Sequence, residues 1–240
     1  MRILAIGAHP DDLEFQCGGT LALLAQQGHS VTMAIATDGG IGHPSATCRS
    51  EVAEVRRIEA AKSASLIGAD LIWMGLEDEW LFNDRQTRTA FIDAYRQARP
   101  DFVISHTTTD YHPDHNVTGQ VAMDARMPAS IRLLETRLPP TPTIAHFFMM
   151  DNQAGVDFVP DVYVDISAVH ELKAEMLRCH ASQQGWLDHF FGMEYVSAME
   201  MKDRQRGAEC GTEFAEGFCE LKTFPITGDV TMLPNAIKRP

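Results

Sequence analysis

The sequence predicts an α/β fold: a mostly parallel, doubly wound sheet with helices on both faces and a C-terminal extension of helix and strand. Three observations lead there. Short apolar runs recur along the first half of the chain, at residues 2–7, 31–36, 71–74 and 101–106. Stretches with helical spacing lie between them, which is the signature of βαβ units. Two clusters of His and Asp sit just beyond the first and fourth runs, where ligands gather in such sheets.

The elements follow in order. Residues 2–7 form a short apolar strand ended by Gly7. A helix is expected over 18–28, closed by Gly28. Residues 31–36 form a second strand, broken by Thr37-Asp38-Gly39-Gly40, and a loop continues through His43-Pro44. A helix is expected from about Arg49 to Ile67. Val52, Val55, Ile58 and Ala61 recur every three residues along its expected inner face, and Gly68 stands at its C-terminal cap. Strand 71–74, a helix near 86–98 and strand 101–106 come next. A helix starts close to His115, with Val117, Val121 and Ala125 on one face. Beyond residue 127 the pattern weakens. The expectations there are a loop at 139–142, strands at 144–149 and 162–166, and helices at 168–183 and 193–206. The chain reads as one domain over 1–240, with its core in about 2–150 and the extension in about 151–240.

The 240 residues carry a net charge of −13, which argues against nucleic acid and against an anionic membrane as partner. No apolar run approaches the ~20 residues of a membrane span, and no basic-then-apolar leader opens the chain. Five scattered cysteines, none in a C-x-x-C pair, suit reduced thiols. The expectation is a soluble, cytoplasmic protein with a small-molecule substrate.

The chemistry rests on His9-Pro10-Asp11-Asp12 and His112-Pro113-Asp114-His115. In a doubly wound sheet the first and fourth strands are neighbours at the switch point, so the two strings face each other. His9, Asp12 and His115 supply the three protein ligands of a catalytic zinc site and leave one position for water. Iron or manganese suits the same donors. Asp11, left over beside the metal, is placed as general base. His112, held by Asp114, is placed to stabilise an oxyanion or protonate a leaving nitrogen. These parts suit metal-assisted amide hydrolysis.

The strings Ala8-His9-Pro10-Asp11-Asp12-Leu13-Glu14, Gly18-Gly19-Thr20 and His112-Pro113-Asp114-His115 resemble the PIG-L/LmbE-like zinc-dependent deacetylases. The similarity continues at Arg56, Glu59, Leu66-Ile67-Gly68, Ser182-Gln183 and Glu216-Gly217-Phe218. It implies a Rossmann-like fold, removal of an acetyl group from an N-acetylated amino sugar or its conjugate, and the residue roles given above. It also implies a substrate contact for Arg56, and it is compatible with a homo-oligomer. The chain departs from the family twice. Asp110 stands where some relatives have a Tyr, with Tyr111 one place later, and Thr143 lies where others have an Arg. The second oxyanion donor therefore has no assignment from sequence.

Two alternatives share these motifs: an amidase for a larger acyl group or thiol conjugate, and a metal- or sugar-binding module without turnover. The spare base at Asp11 argues against the second. His106 is read as an ordinary strand-end histidine and Glu14 as structural. Trp80 is the candidate sugar-stacking ring. His29, His43, His146, His170, His180 and His189 receive no role. A dinucleotide site is rejected, because G-x-G-x-x-G is absent and acids occupy the turn where a pyrophosphate would sit.

Overall fold

The computed structural model describes residues 1–43, 45–192 and 194–239, with the backbone alone for 188–191. Strands β1 (Arg2–Gly7), β2 (Ser30–Thr37), β3 (Asp70–Leu76), β4 (Phe102–His106) and β5 (His146–Met150) run parallel. Strands β6 (Val162–Asp165), β7 (Ala215–Glu220) and β8 (Ala236–Lys238) extend the same sheet antiparallel, in the order β3-β2-β1-β4-β5-β7-β6-β8. The order turns between β1 and β4, which is the switch point the sequence implies.

Both faces of the sheet are covered, which is why its central strands read as unbroken apolar runs. On one face Ile3, Ala5, Met33, Ile35 and Ile104 pack under helices α1 (Asp12–Gln26), α2 (Arg49–Leu66) and α5 (His170–Arg178). On the other, Leu4, Ile6, Ala34 and Val103 pack under α3 (Arg85–Ala98) and α4 (Pro113–Ala125). Successive residues of one strand thus serve opposite layers. A third apolar cluster joins Phe15 of α1 to α6 (Ala181–Phe191) and α7 (Tyr195–Cys210) through Leu187, Tyr195 and Met199.

Several elements depart from the sequence reading, each for a local reason. Helix α1 starts at Asp12 rather than at 18, so the acidic turn is short and Asp12 is the first helical residue. Helix α4 starts at Pro113, a residue suited to a first turn, and places His115 within that turn. The expected helix 168–183 is two helices: α5 ends at Arg178, the amides of Cys179 and His180 bond three residues back to Met176 and Leu177, and His180 Nε2 lies 3.0 Å from Glu14 Oε1. Glu59 then satisfies the start of α6, accepting from Ser182 N at 2.9 Å and from Ser182 Oγ. Residue 193, the expected start of the next helix, lies outside the described residues.

The inner face of α2 is the main correction. Val55 and Ile58 are 47% and 56% exposed. A step of three residues falls short of a full turn, so the stripe drifts around the helix. The buried face runs Val52, Arg56, Ala60, Ser63, Ala64, in steps closer to four. It carries a guanidinium and a hydroxyl toward the site.

A buried ionic network joins the extension to the core. Lys173 Nζ lies 2.8 Å from both Asp203 Oδ1 and Glu216 Oε1. Glu216 in turn accepts from the amides of Gly19 and Thr20 on α1, each at 2.8 Å. Gly119 sets the seating of α4: a Cβ there would stand 2.6 Å from the His106 carbonyl oxygen and 2.7 Å from that of Thr107. Gly119→Ala should therefore destabilise the fold by about 1–3 kcal/mol through overpacking against backbone, read as a lower denaturation midpoint. Wild-type stability in this variant would show that α4 has room to spare over β4.

Candidate active site

The first turn is stitched to its neighbours before any side-chain chemistry begins. Ala8 N donates to His106 Nε2 at 3.0 Å, and the Ala8 carbonyl accepts from Thr37 N and Thr37 Oγ1, both at 2.9 Å. The Asp12 carboxylate folds back over the turn, Oδ2 accepting from His9 N at 2.7 Å. Between them Asp11 takes φ 109°, ψ −24°, a region that non-glycine residues rarely occupy and that costs about 1–3 kcal/mol. It is held there on two sides. Phe15 N donates to the Asp11 carbonyl at 3.0 Å, and Arg56 Nη2 donates to the Pro10 carbonyl at 2.8 Å.

Four donor atoms of three residues converge where the turn meets α4. His9 Nδ1 lies 3.3 Å from His115 Nε2. His115 Nε2 lies 3.2 Å from Asp12 Oδ1, and His9 Nδ1 lies 3.5 Å from Asp12 Oδ2. A tetrahedral ion with bonds of about 2.0–2.1 Å has edges of about 3.3 Å, and the donors of the three residues lie near that spacing, the two histidines facing different oxygens of Asp12.

The far side of each ring supports the same reading. His9 Nε2 lies 3.2 Å from Asp78 Oδ1 and 3.4 Å from Asp114 Oδ2. His115 Nδ1 lies 3.2 Å from Asp110 Oδ1. A proton held on those outer nitrogens leaves the inner lone pairs, His9 Nδ1 and His115 Nε2, to face one another. Burial works against a charged imidazole at both positions, yet the carboxylates outweigh it. Asp114, Asp12 and Asp78 hold His9 well above its ordinary range, and Asp12 and Asp110 push His115 up to about 9. Burial likewise opposes ionised Asp12, but His115 and His106 bring its pKa well below the usual carboxylate range. The cluster therefore draws positive charge into its centre, which a divalent cation supplies.

Asp11 stands apart from this trio. Burial pushes its carboxyl up to about 6, against the pull of Arg56. Arg56 Nη2 lies 3.8 Å from Asp11 Oδ1, while its two terminal nitrogens donate to the carbonyls of Gly39 (2.9 Å) and Pro10. The Tyr195 hydroxyl, from the first residue of α7, meets the same carboxylate. Behind them Glu14 accepts from Ser63 Oγ at 2.6 Å and pairs with His180.

His112 lies 4.6 Å, ring to ring, from His9. Its Nδ1 accepts from Asp114 N at 3.2 Å, which puts the ring proton on Nε2, 3.1 Å from Glu79 Oε1. Burial and the neighbouring His9 and His115 rings lower its pKa, favouring the neutral donor form. The expected His112–Asp114 pairing is thus made through the backbone alone. The Asp114 carboxylate instead accepts from Glu79 N (2.9 Å) and Leu81 N (3.3 Å) and turns toward His9. It braces the loop after β3 against the start of α4.

A cavity of about 660 Å³ opens onto this cluster, lined by His9, Asp11, Asp12, Arg56, His112 and His115. Asp78, Glu79 and Tyr111 join them, and Trp186, Leu187 and Tyr195 form the opposite wall. All seven site residues singled out from the sequence gather here, Asp114 from just behind the wall. Trp80, by contrast, is 60% exposed and packs toward Phe82, while Trp186 lines the cavity. His106 is no ordinary strand-end residue: its Nε2 lies 3.1 Å from Asp12 Oδ2, and burial holds its pKa down to about 4. The side chain of His189 lies outside the described residues. Sequence reasoning also missed Asp78 and Asp110. Asp78 follows the carboxyl end of β3, and Asp110 stands two residues before the second string, so position relative to the sheet rim was the available signal. Tyr195 and Trp186 carry none.

The family described as PIG-L, GlcNAc-PI de-N-acetylase, matches residues 4–126. A 4-oxalmesaconate hydratase from Pseudomonas putida is 26% identical, over 78% of this chain and 76% of that protein. A probable N-acetyl-alpha-D-glucosaminyl L-malate deacetylase 2 from Bacillus cereus is 31% identical, over 76% of this chain and 83% of that protein. Among solved structures, the N,N'-diacetylchitobiose deacetylase from Pyrococcus horikoshii superposes with a TM-score of 0.79 at 26% identity. That match covers 91% of this chain and 83% of the other.

Two outcomes are expected from this geometry. Asp110→Asn should keep the fold, by circular dichroism, but bind zinc about 10–100-fold more weakly in a chelator competition; unchanged affinity would remove Asp110 from the support of His115. Asp11→Gly should raise the melting temperature, because glycine takes φ 109° without the same cost. A fall in melting temperature would mean the Asp11 contacts outweigh its strain.

Proposed function

The chain belongs to the GlcNAc-PI de-N-acetylase (PIG-L) family, and from that premise we propose that it is a metal-dependent deacetylase of N-acetylated amino sugars or their conjugates. The observation that carries this reading is the convergence of His9, Asp12 and His115, whose donor atoms, both Asp12 oxygens included, lie 3.2–3.5 Å from one another's rings, with a spare carboxylate, Asp11, beside them. Zinc is the proposed ion, held by His9, Asp12 and His115; ferrous iron fits the same donors. When bound, the ion supplies Lewis acidity toward the acyl carbonyl and toward water.

The residues do the rest. Asp11 takes the proton of the attacking water. Arg56 and Tyr195 hold its carboxylate at the site, and its strained backbone aims it there. A carboxyl poised near 6 is ionised at neutral pH and still basic enough to accept that proton. His112, with its proton on Nε2, donates to the oxyanion as charge develops on the former carbonyl oxygen. Asp11 then returns its proton to the departing amine. Asp78, Asp110 and Asp114 act through the ligand rings and keep their tautomers. No described helix is long and apolar enough to cross a membrane. The five cysteines are free, which supports the cytoplasm as the compartment.

Hydration of a carbon–carbon double bond is the second reading, favoured by the similarity to the hydratase. The two separate on products. Deacetylation releases acetate and a primary amine, whereas hydration releases neither.

Asp11→Asn should retain the ion and lose about 10²–10⁴ in rate, while His9→Ala should lose the ion itself. Metal analysis and acetate release on the same samples make the check, and equal metal loss in both variants would refute the division of roles. A chelator should abolish acetate release, and added zinc should restore it. Full activity in demonstrably metal-free protein would sink the hydrolase reading.

A further inference from the structure

The charge around the cavity is uneven, and it bears on which saccharide can enter. Asp11, Asp12, Asp78 and Glu79 line the cavity, and Asp110 and Asp114 stand directly behind the two ligand rings. Against these six carboxylates the described lining offers one permanently charged base, Arg56, beside four histidines, of which His9 and His115 are the proposed ligands and His43 and His112 are not. The terminal nitrogens of Arg56 are committed to the carbonyls of Pro10 and Gly39. A divalent cation at the ligand trio still leaves three negative charges uncompensated. A low-dielectric wall focuses that field on whatever lies in the cavity.

The opposite wall is apolar and aromatic. Trp186 and Leu187 of α6 and Tyr195 and Ala198 of α7 face the turn, with Phe15 stacked on Tyr195 at 5.2 Å. Such rings suit the apolar faces of a pyranose, and none of them offers a cation to a carboxylate or phosphate. About 660 Å³ is room for well beyond an acetyl group, so part of the conjugate must lie within this field.

Resting on the deacetylase reading, we propose that the site selects N-acetylated saccharides that are uncharged, or carry a free amine, near the scissile amide, and turns away those bearing a carboxylate or phosphate there. The product amine is protonated at neutral pH, so the same field favours the product state of a neutral substrate. Glu79 is the adjustable element. Its side chain is half exposed at the rim, and among the described residues one of its oxygens is engaged, by His112.

The test compares N,N'-diacetylchitobiose with N-acetylglucosaminyl malate on the zinc-loaded full chain, by acetate release at low and high salt. Binding of both to zinc-loaded Asp11→Asn is measured by calorimetry. At low salt chitobiose should lead in kcat/KM by at least tenfold. The gap should narrow severalfold at high salt, as screening predicts, and again in Glu79→Gln. Equal or better turnover of the malate conjugate overturns the proposal. If neither substrate releases acetate but chitobiose binds more tightly, the deacetylase reading falls and charge selection stands. If neither releases acetate and the malate conjugate binds as well, both fall.

Discussion

The carboxylate of Asp12 is the contact on which the two halves of the site depend. One oxygen takes the amide of His9 and lies against His106, and the other lies against His115. A single side chain thus joins the end of β1 to the end of β4 and to the first turn of α4. It can do so because those strands are hydrogen-bonded neighbours, paired from Ile3–Phe102 to Ile6–Ser105. Gly119 lets α4 approach the same rim closely enough for His115 to arrive. Without that neighbouring pair, two strings a hundred residues apart in sequence would have no common point.

Around this contact the site is arranged in rings. The inner ring is the ligand trio. The outer ring is Asp78, Asp110 and Asp114, each anchored by backbone amides as well as by a histidine. Asp78 accepts from Ile41 N at 3.0 Å, Asp110 from His112 N at 3.0 Å, and Asp114 from Glu79 N and Leu81 N. Carboxylates fixed to backbone cannot swing away when a ring nitrogen changes its proton. The orientation of the ligands is therefore set by the loops after β2, β3 and β4 together, not by the two histidine strings alone.

How much of this was legible in the sequence divides along physical lines. The parallel strands and the two strings were readable because they are contiguous, and local order alone reveals them. The position of Arg56 was only half readable. The repeat Val52-Val55-Ile58-Ala61 suggested an inner face, whereas the true face follows Val52, Arg56 and Ala60. A step of three and a step of four both keep apolar residues on a helix for two turns, and only packing decides between them. The bracing by Asp78 and Asp110 depends on distances across the sheet rim that no spacing encodes. Trp80 was preferred for its place in the loop after the third strand, whereas the wall of the cavity is built beyond residue 127, where the periodicity weakens and Trp186 lies.

That division has a historical consequence. The residues proposed to hold the ion all precede residue 116, while the aromatic wall comes from helices after residue 180, carried on a separate apolar cluster around Phe15, Leu187 and Met199. The buried Lys173–Asp203–Glu216 network and the cluster around Phe15 fasten that region to α1. Drift at Trp186, Leu187 and Ala198 can reshape what is admitted, while Tyr195, which meets the Asp11 carboxylate, is tied to the turn. A lineage built this way can alter the lining contributed by Trp186 and Leu187 while keeping the turn that carries Asp11 and Asp12.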